Sequence, residues 1–348
     1  TTDYIDISAD WTLDREGTEP ADLSRLGGYM DEETGVLSIY HRLPPMDGDE
    51  SLVFRSKDVY TKLLIDGEVI YETEVYESRF YNRSPGNLWN IVKLHDNCSE
   101  ALVELQIDMV YDTNAVTVDH TMWGDKTDII QAFLKEKAFG ITVSMLMAII
   151  GLILIAIGLM PAYSRARKNH GMIWLGLYAV LISVWSVIET NVIQFLVTDM
   201  RILQLIDNMI LILDSMPLLL YLNCEYQIFR NRFMRVFCYV DSLYIFAAVL
   251  IQLSGVSGLH LVLHVAGLAM IASCVILLVW VTVELCRRIR RHQVVLNYVL
   301  QLSGMGALGI STLCEIVRHS QSDHMDRAEY MRVGMLVFIV CLAVSSQL

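Results

Sequence analysis

Between Ala138 and Met160 the chain runs for 23 residues without a charged side chain. A hydrocarbon layer about 30 Å thick is crossed by about 20 helical residues. A helix suits that layer because it satisfies its own backbone polar groups away from water. This stretch therefore points to a bilayer, and the rest of the sequence is read around it. Further apolar runs follow at Gly171 to Val197, Leu203 to Tyr226, Val236 to Leu253, Leu259 to Val283, Val294 to Val317 and Val333 to Leu348. Residues 138–348 are thus expected to form an all-α bundle of seven transmembrane helices.

Charge is divided as sharply as hydropathy. Residues 1–136 hold 28 Asp and Glu against 11 Lys and Arg, a net of −17, whereas residues 137–348 hold 11 against 15, a net of +4. The first part has the composition of a water-soluble domain. Its negative charge argues against a nucleic-acid partner, whose phosphates it would repel. The charge also serves simply to keep an exposed domain soluble. Of seven cysteines only Cys98 lies in this part, so it relies on a hydrophobic core rather than an internal disulfide.

Orientation follows from Lys and Arg in the short loops. The loops after the first, third and fifth apolar runs carry Arg165, Arg167, Lys168, Arg230, Arg232, Arg235, Arg287, Arg288, Arg290 and Arg291, ten in all. The alternate loops carry four: Arg201, Arg318, Arg327 and Arg332. The richer side is expected in the cytoplasm. This puts residues 1–122 outside the plasma membrane and the chain end inside. The chain opens on Thr1 and its last apolar run, 16 residues long, stops at Leu348. A removed export signal or anchor, and a cytoplasmic continuation, are expected.

The first 122 residues have the periodicity of strands. In residues 101–111 Val103, Leu105, Ile107 and Met109 alternate with Glu104, Gln106 and Asp108, as in a half-buried strand. Residues 59–72 are two such runs joined at Asp66-Gly67, a pair suited to the positive φ angles of a tight hairpin. No helix-period segment of useful length precedes residue 125. An all-β sandwich of jelly-roll type is expected. Residues 123–137, with Ile129, Ile130, Phe133 and Leu134 at near-helical spacing, predict a connecting helix that enters the first span. It would serve either to transmit motion or as a passive tether.

The order of these parts, with LVFRSKDVYTKLLIDGEVIYE, SPGNLWNIVKL and a GDK segment before the first span, resembles the bacterial seven-transmembrane receptors with diverse intracellular signalling modules. It is most similar to the membrane part of Firmicutes GGDEF proteins, which are diguanylate cyclases. The resemblance implies an outer domain of galactose-binding, carbohydrate-module type. It also implies an extracellular small-molecule or saccharide ligand, a homodimer, and a cytoplasmic output enzyme such as a diguanylate cyclase, histidine kinase or phosphatase. No GGDEF motif or nucleotide loop lies within these residues, so no catalytic residue, cofactor or metal is assigned to the chain itself.

Candidate ligand residues come in two sets. Trp11 and Trp89 are outer-domain aromatics on which a sugar would stack, or else they belong to the core. Glu189, Asp207, His260, His264 and Glu315 fall near the outer ends of the spans. His260 and His264, four residues apart, share a helix face. This second set forms either a polar outer pocket or merely hydrated helix ends. Asp214, near the midplane with Pro217 beside it, is the candidate switch, because a carboxylate there needs a partner or a proton. No lysine follows Lys168, which excludes a retinal Schiff base in the bundle. A transporter or channel with an accessory β-domain is the alternative function.

Overall fold

A computed structural model describes residues 4–23, 26, 29, 36–45, 50–57, 59–73, 85, 87–94, 98, 100–109, 117–160, 167–195, 200–254, 275, 278–287, 289–290, 296–321 and 329–347. The chain divides into two compact units. One comprises Thr1–Ala138 with Asn191–Gln204 and Asp323–Met325, the other Phe139–Thr190, Leu205–Ser322 and Asp326–Leu348.

The first unit is built on eight strands: β1 (Tyr4–Asp6), β2 (Val36–Arg42), β3 (Ser51–Lys57), β4 (Val59–Ile65), β5 (Glu68–Glu72), β6 (Asn87–Lys93), β7 (Leu102–Met109) and β8 (Thr117–Gly124). They form two four-stranded antiparallel sheets, in the orders β1-β8-β3-β6 and β2-β7-β4-β5. Alternation decides which side chains face inward. On β4 Val59, Thr61, Leu63 and Ile65 are buried, and on β7 Val103, Leu105 and Ile107, paired across the register Thr61↔Ile107, Leu63↔Leu105 and Ile65↔Val103. These pack with Leu52, Phe54, Val92 and Trp123 of the other sheet into one core. The β4–β5 hairpin turns at Asp66 (φ 50°) and Gly67 (φ 88°), the left-handed geometry that makes this pair favourable.

Strand β3 breaks the alternation. Ser51 to Ser56 are all buried, so this strand is covered on both faces. The first sheet's outer side is occupied rather than open to solvent.

The helices include α1 (Lys126–Leu159), α2 (Arg167–Ile188), α3 (Met200–Leu213), α4 (Ser215–Tyr226), α5 (Arg232–Ser254), α6 (Leu296–Gln321) and α7 (Glu329–Gln347). Among the described residues, five stretches are long and apolar enough to cross a membrane: Lys126–Leu159, His170–Ile188, Ile202–Glu225, Arg232–Ile251 and Glu329–Ser346. The expected fifth span, residues 259–283, lies largely outside the described residues, and so do His260 and His264. The expected sixth span overlaps α6, which is not among the five.

One expected span is corrected. The second ends at Ile188, not Val197. Asn191 turns left-handed (φ 57°), and Val192–Phe195 form a separate 3₁₀ turn. The expected third span stands as one stretch, Ile202–Glu225, in which α3 and α4 meet at Asp214, itself in right-handed helical conformation. The ring of Pro217 cannot donate a backbone hydrogen bond and crowds the carbonyl of Leu213 at that junction.

Within the second unit, close approach depends on glycine. A Cβ on Gly176 of α2 would lie 2.6 Å from the Gly151 carbonyl of α1, and one on Gly151 would lie 2.8 Å from the Gly176 carbonyl. The helices therefore touch backbone to backbone. Helix α7 packs on α6 in the same way, where a Cβ on Gly304 would meet Cys341 at 2.9 Å. Gly176→Ala is expected to cost about 1–3 kcal/mol through overpacking. Thermal unfolding of the full chain in lipid nanodiscs should show a lower midpoint. An unchanged midpoint would contradict the close contact.

Candidate functional site

The outer face of the first sheet carries the most distinctive group of side chains in the first unit. Val53 of β3 and Trp89 of β6 pack with Ile129 and Phe133 of α1. Tyr4, Ile91, Met122, Val192 and Phe195 surround them. Phe133 meets the Trp89 ring edge-on at 4.8 Å between centroids and Phe195 at 5.6 Å, the tilted geometry that aromatic pairs prefer. The guanidinium of Arg55, 1% exposed, stands 5.7 Å from the centre of the Trp89 ring. Register sets Arg55 opposite both Trp89 and Asp119. A buried cation beside an indole face is held by the ring's quadrupole.

Backbone chemistry fixes the same place. Among the described residues strand β6 is the edge of its sheet, so alternate residues present N–H and C=O groups with no neighbouring strand there. Trp89 is one of these. Its N–H donates to Gln194 Oε1 at 2.7 Å, and Gln194 Nε2 donates to the Trp89 carbonyl at 2.7 Å. The side-chain amide stands in for one residue of a missing strand. Gln194 lies on the 3₁₀ turn between α2 and α3. The first unit thus grips two helical segments at one point: α1 through Phe133 and the α2–α3 connection through Gln194.

Helix α1 begins at a well-formed cap. Asp125 Oδ1 accepts from the backbone N–H groups of Thr127 at 2.7 Å and Asp128 at 3.2 Å. These bonds hold the Asp125 carboxyl below the usual carboxylate range. From this cap α1 continues unbroken for 34 residues, about 50 Å, so the connecting helix expected over residues 123–137 begins only at Lys126, because β8 runs through Gly124, and it continues into the first apolar run.

The sequence-derived candidates fall as follows. Trp11 is wholly buried in the sandwich core, its Nε1 donating to Thr121 Oγ1 at 3.1 Å. Trp89 is 6% exposed beneath α1. Neither ring is open for a sugar to stack on, since inward alternation claims one and α1 covers the other. In the second unit Glu189 and Asp207 lie within electrostatic range of each other, and Asp207 Oδ1 is buried with no hydrogen-bond partner among the described residues. Glu315 sits on α6, but its side chain lies outside the described residues, as do His260 and His264. The five-residue outer pocket is therefore described only at Glu189 and Asp207. Asp214 is buried at the α3–α4 junction, within electrostatic range of Asp241, whose Oδ2 accepts from Ser215 Oγ at 3.0 Å.

No protein-family model matches the chain, and no curated protein or solved structure is significantly similar to it.

Sequence reasoning missed Gln194 and Arg55. Gln194 lay inside an apolar run that looked like the end of a span. The Thr190-Asn191 pair just before it was the available turn signal. Nothing in strand periodicity separates a strand covered by a second sheet from one covered by a helix, and Arg55 sat on such a strand.

The Asp125 cap should respond to acid. A lowered folded-state pKa gives stabilisation that is fully present above the unfolded value, near 3.8, and is lost as pH falls through the folded value. Amide exchange at Thr127 and Asp128 should therefore accelerate below about pH 4, relative to the intrinsic rate. Asp125→Ala should remove that step. A pH-independent protection in the native chain would contradict the cap.

Proposed function

We propose that the chain is the membrane-embedded sensor module of a bacterial signal-transduction receptor. The carrying observation is the double grip of the β-sandwich on α1 and on the α2–α3 connection. A binding protein that merely displayed its domain on a membrane would need one flexible tether. Here a strain in the first sheet is felt at Phe133, on a continuous rod, and at Gln194, eight residues beyond Ser186 of α2. In this reading the helical part is a seven-span bundle, the sandwich is extracytoplasmic and the Arg-rich loops are cytoplasmic, as the ten-to-four distribution of basic residues supports.

The sandwich is best assigned to the jelly-roll class. Strand orders β1-β8-β3-β6 and β2-β7-β4-β5 support this, since they alternate strands from the two ends of the domain as two nested Greek keys do. With the first sheet's outer face occupied, the outer face of the second is the one left for a ligand. It carries Tyr40 with the Arg15 guanidinium 5.4 Å from its ring centre. Glu104 there accepts from Arg15 at 2.9 Å, Ser38 at 3.1 Å and Gln106 at 2.8 Å. Fixed planar polar groups beside an aromatic ring suit a saccharide. The resemblance to seven-transmembrane receptors adds the output: control of a cytoplasmic enzyme, foremost a diguanylate cyclase, by a homodimer.

A glycan panel added outside right-side-out membrane vesicles that hold the full chain tests this. One glycan class should raise the unfolding midpoint of the sandwich, by the equivalent of about 2.7 kcal/mol at a hundredfold excess over Kd. Tyr40→Ala should abolish the shift. No shift across the panel, or a shift only after the vesicles are permeabilised, would contradict the reading.

A further inference from the structure

Helix α7 is keyed to α2 along its length, and one buried cation closes the pair at the C-terminal end of α2. Three contacts run in antiparallel order. Ser346 Oγ donates to Met172 Sδ at 3.8 Å, Phe338 meets Tyr178 edge-on at 6.3 Å, and Arg332 reaches Ser186. Arg332 is 3% exposed. Its Nε donates to Ser186 Oγ at 3.0 Å and its Nη2 to the Ser186 carbonyl at 3.3 Å.

That carbonyl belongs to the last turn of α2, where it has lost its helical partner. The Thr190 N–H that would bond it in a continuing helix bonds Val187 O instead, at 3.1 Å. A cation at this position also complements the negative end of the helix dipole. Arg332 is therefore a C-cap for α2 supplied by another helix. The network extends to α1. Ser186 Oγ is 2.7 Å from Ser144 Oγ, and Ser144 donates to the Gly140 carbonyl at 2.7 Å. A Cβ at Gly140 would come within 3.0 Å of Arg332 Nη1, so α1 is open at the position where the guanidinium lies.

Resting on the sensor reading, we infer that Arg332 is the relay by which displacement of the α2–α3 connection is passed to α7. The spacing carries this. Gln194, which the sandwich holds, lies only eight positions beyond Ser186, which Arg332 caps. Two charge-assisted bonds to Ser186 in a low-dielectric interior resist breaking. When the end of α2 shifts or unwinds, these bonds draw Arg332 and the first turn of α7 with it. Arg332 thus latches α7 to the end of α2.

The test is a distance measurement without ligand, so its outcome is separable from that of the glycan panel. Spin labels are placed at Val184 on α2 and Val337 on α7, both partly exposed, through non-canonical side chains because the chain carries seven cysteines. The full chain is studied in lipid nanodiscs. Arg332→Gln should broaden the distance distribution or move it by more than about 2 Å. Gln194→Ala, which alters neither labelled helix, should move it in the same direction. If Arg332→Gln moves the distance and Gln194→Ala leaves it at the native value, Arg332 is a static cap and the relay is wrong. If neither moves it, the latch is wrong as well. Should Arg332→Gln fail to fold, Gln194→Ala alone decides.

Discussion

The edge of a β-sheet must dispose of backbone groups that no neighbouring strand will take, and at Trp89 this chain does so with one glutamine. The paired 2.7 Å bonds from Gln194 satisfy the strand and at the same time fix where the α2–α3 connection lies within the first unit. An exposed edge is ordinarily blunted with charge, proline or a bulge. Here the edge is joined to a segment that leads directly into two apolar helices. The aromatic contacts of Trp89, Phe133 and Phe195 exclude water around that pair, so the bonds form where loss of either partner leaves a group without compensation.

A second constraint acts inside the helical unit. Without water to accept stray hydrogen bonds, each helix end and each ionisable group needs a protein partner or a route to an interface. Arg332 answers that need for the end of α2, and Tyr221 answers a similar one by donating to the Leu342 carbonyl of α7 at 3.1 Å. Both bonds converge on α7, which also packs closely on α6 through Gly304 and Gly334. Small residues and isolated polar bonds hold this helix together with its buried Met335, Phe338, Ile339 and Leu342.

Much of the fold was legible in the residues because strong periodicity survives its context. The Asp66-Gly67 hairpin, the alternation of β7 and the charge-free run of α1 each carry a local signal that tertiary packing did not override. The junction was less legible for a physical reason. The run VIQF is apolar whether it ends a membrane helix or packs against Trp89 and Phe133, so hydropathy alone extended the second span through Gln194. Arg332 is similar: a basic residue near a predicted loop counts toward orientation, and only the neighbouring helix end reveals that it is buried. Trp89 was considered for a ligand and as a core residue. Its place under α1 is a third alternative that a strand pattern does not encode.

The direct measurement of the double grip is hydrogen–deuterium exchange at the Trp89 amide in the full chain reconstituted in lipid. In the native chain this edge amide should be protected, and Gln194→Ala should speed its exchange about ten- to a hundredfold while amides of β7 stay unchanged. An amide at Trp89 that already exchanges in the native chain like a free strand edge, indifferent to residue 194, would show that the sandwich and the α2–α3 connection are not joined there.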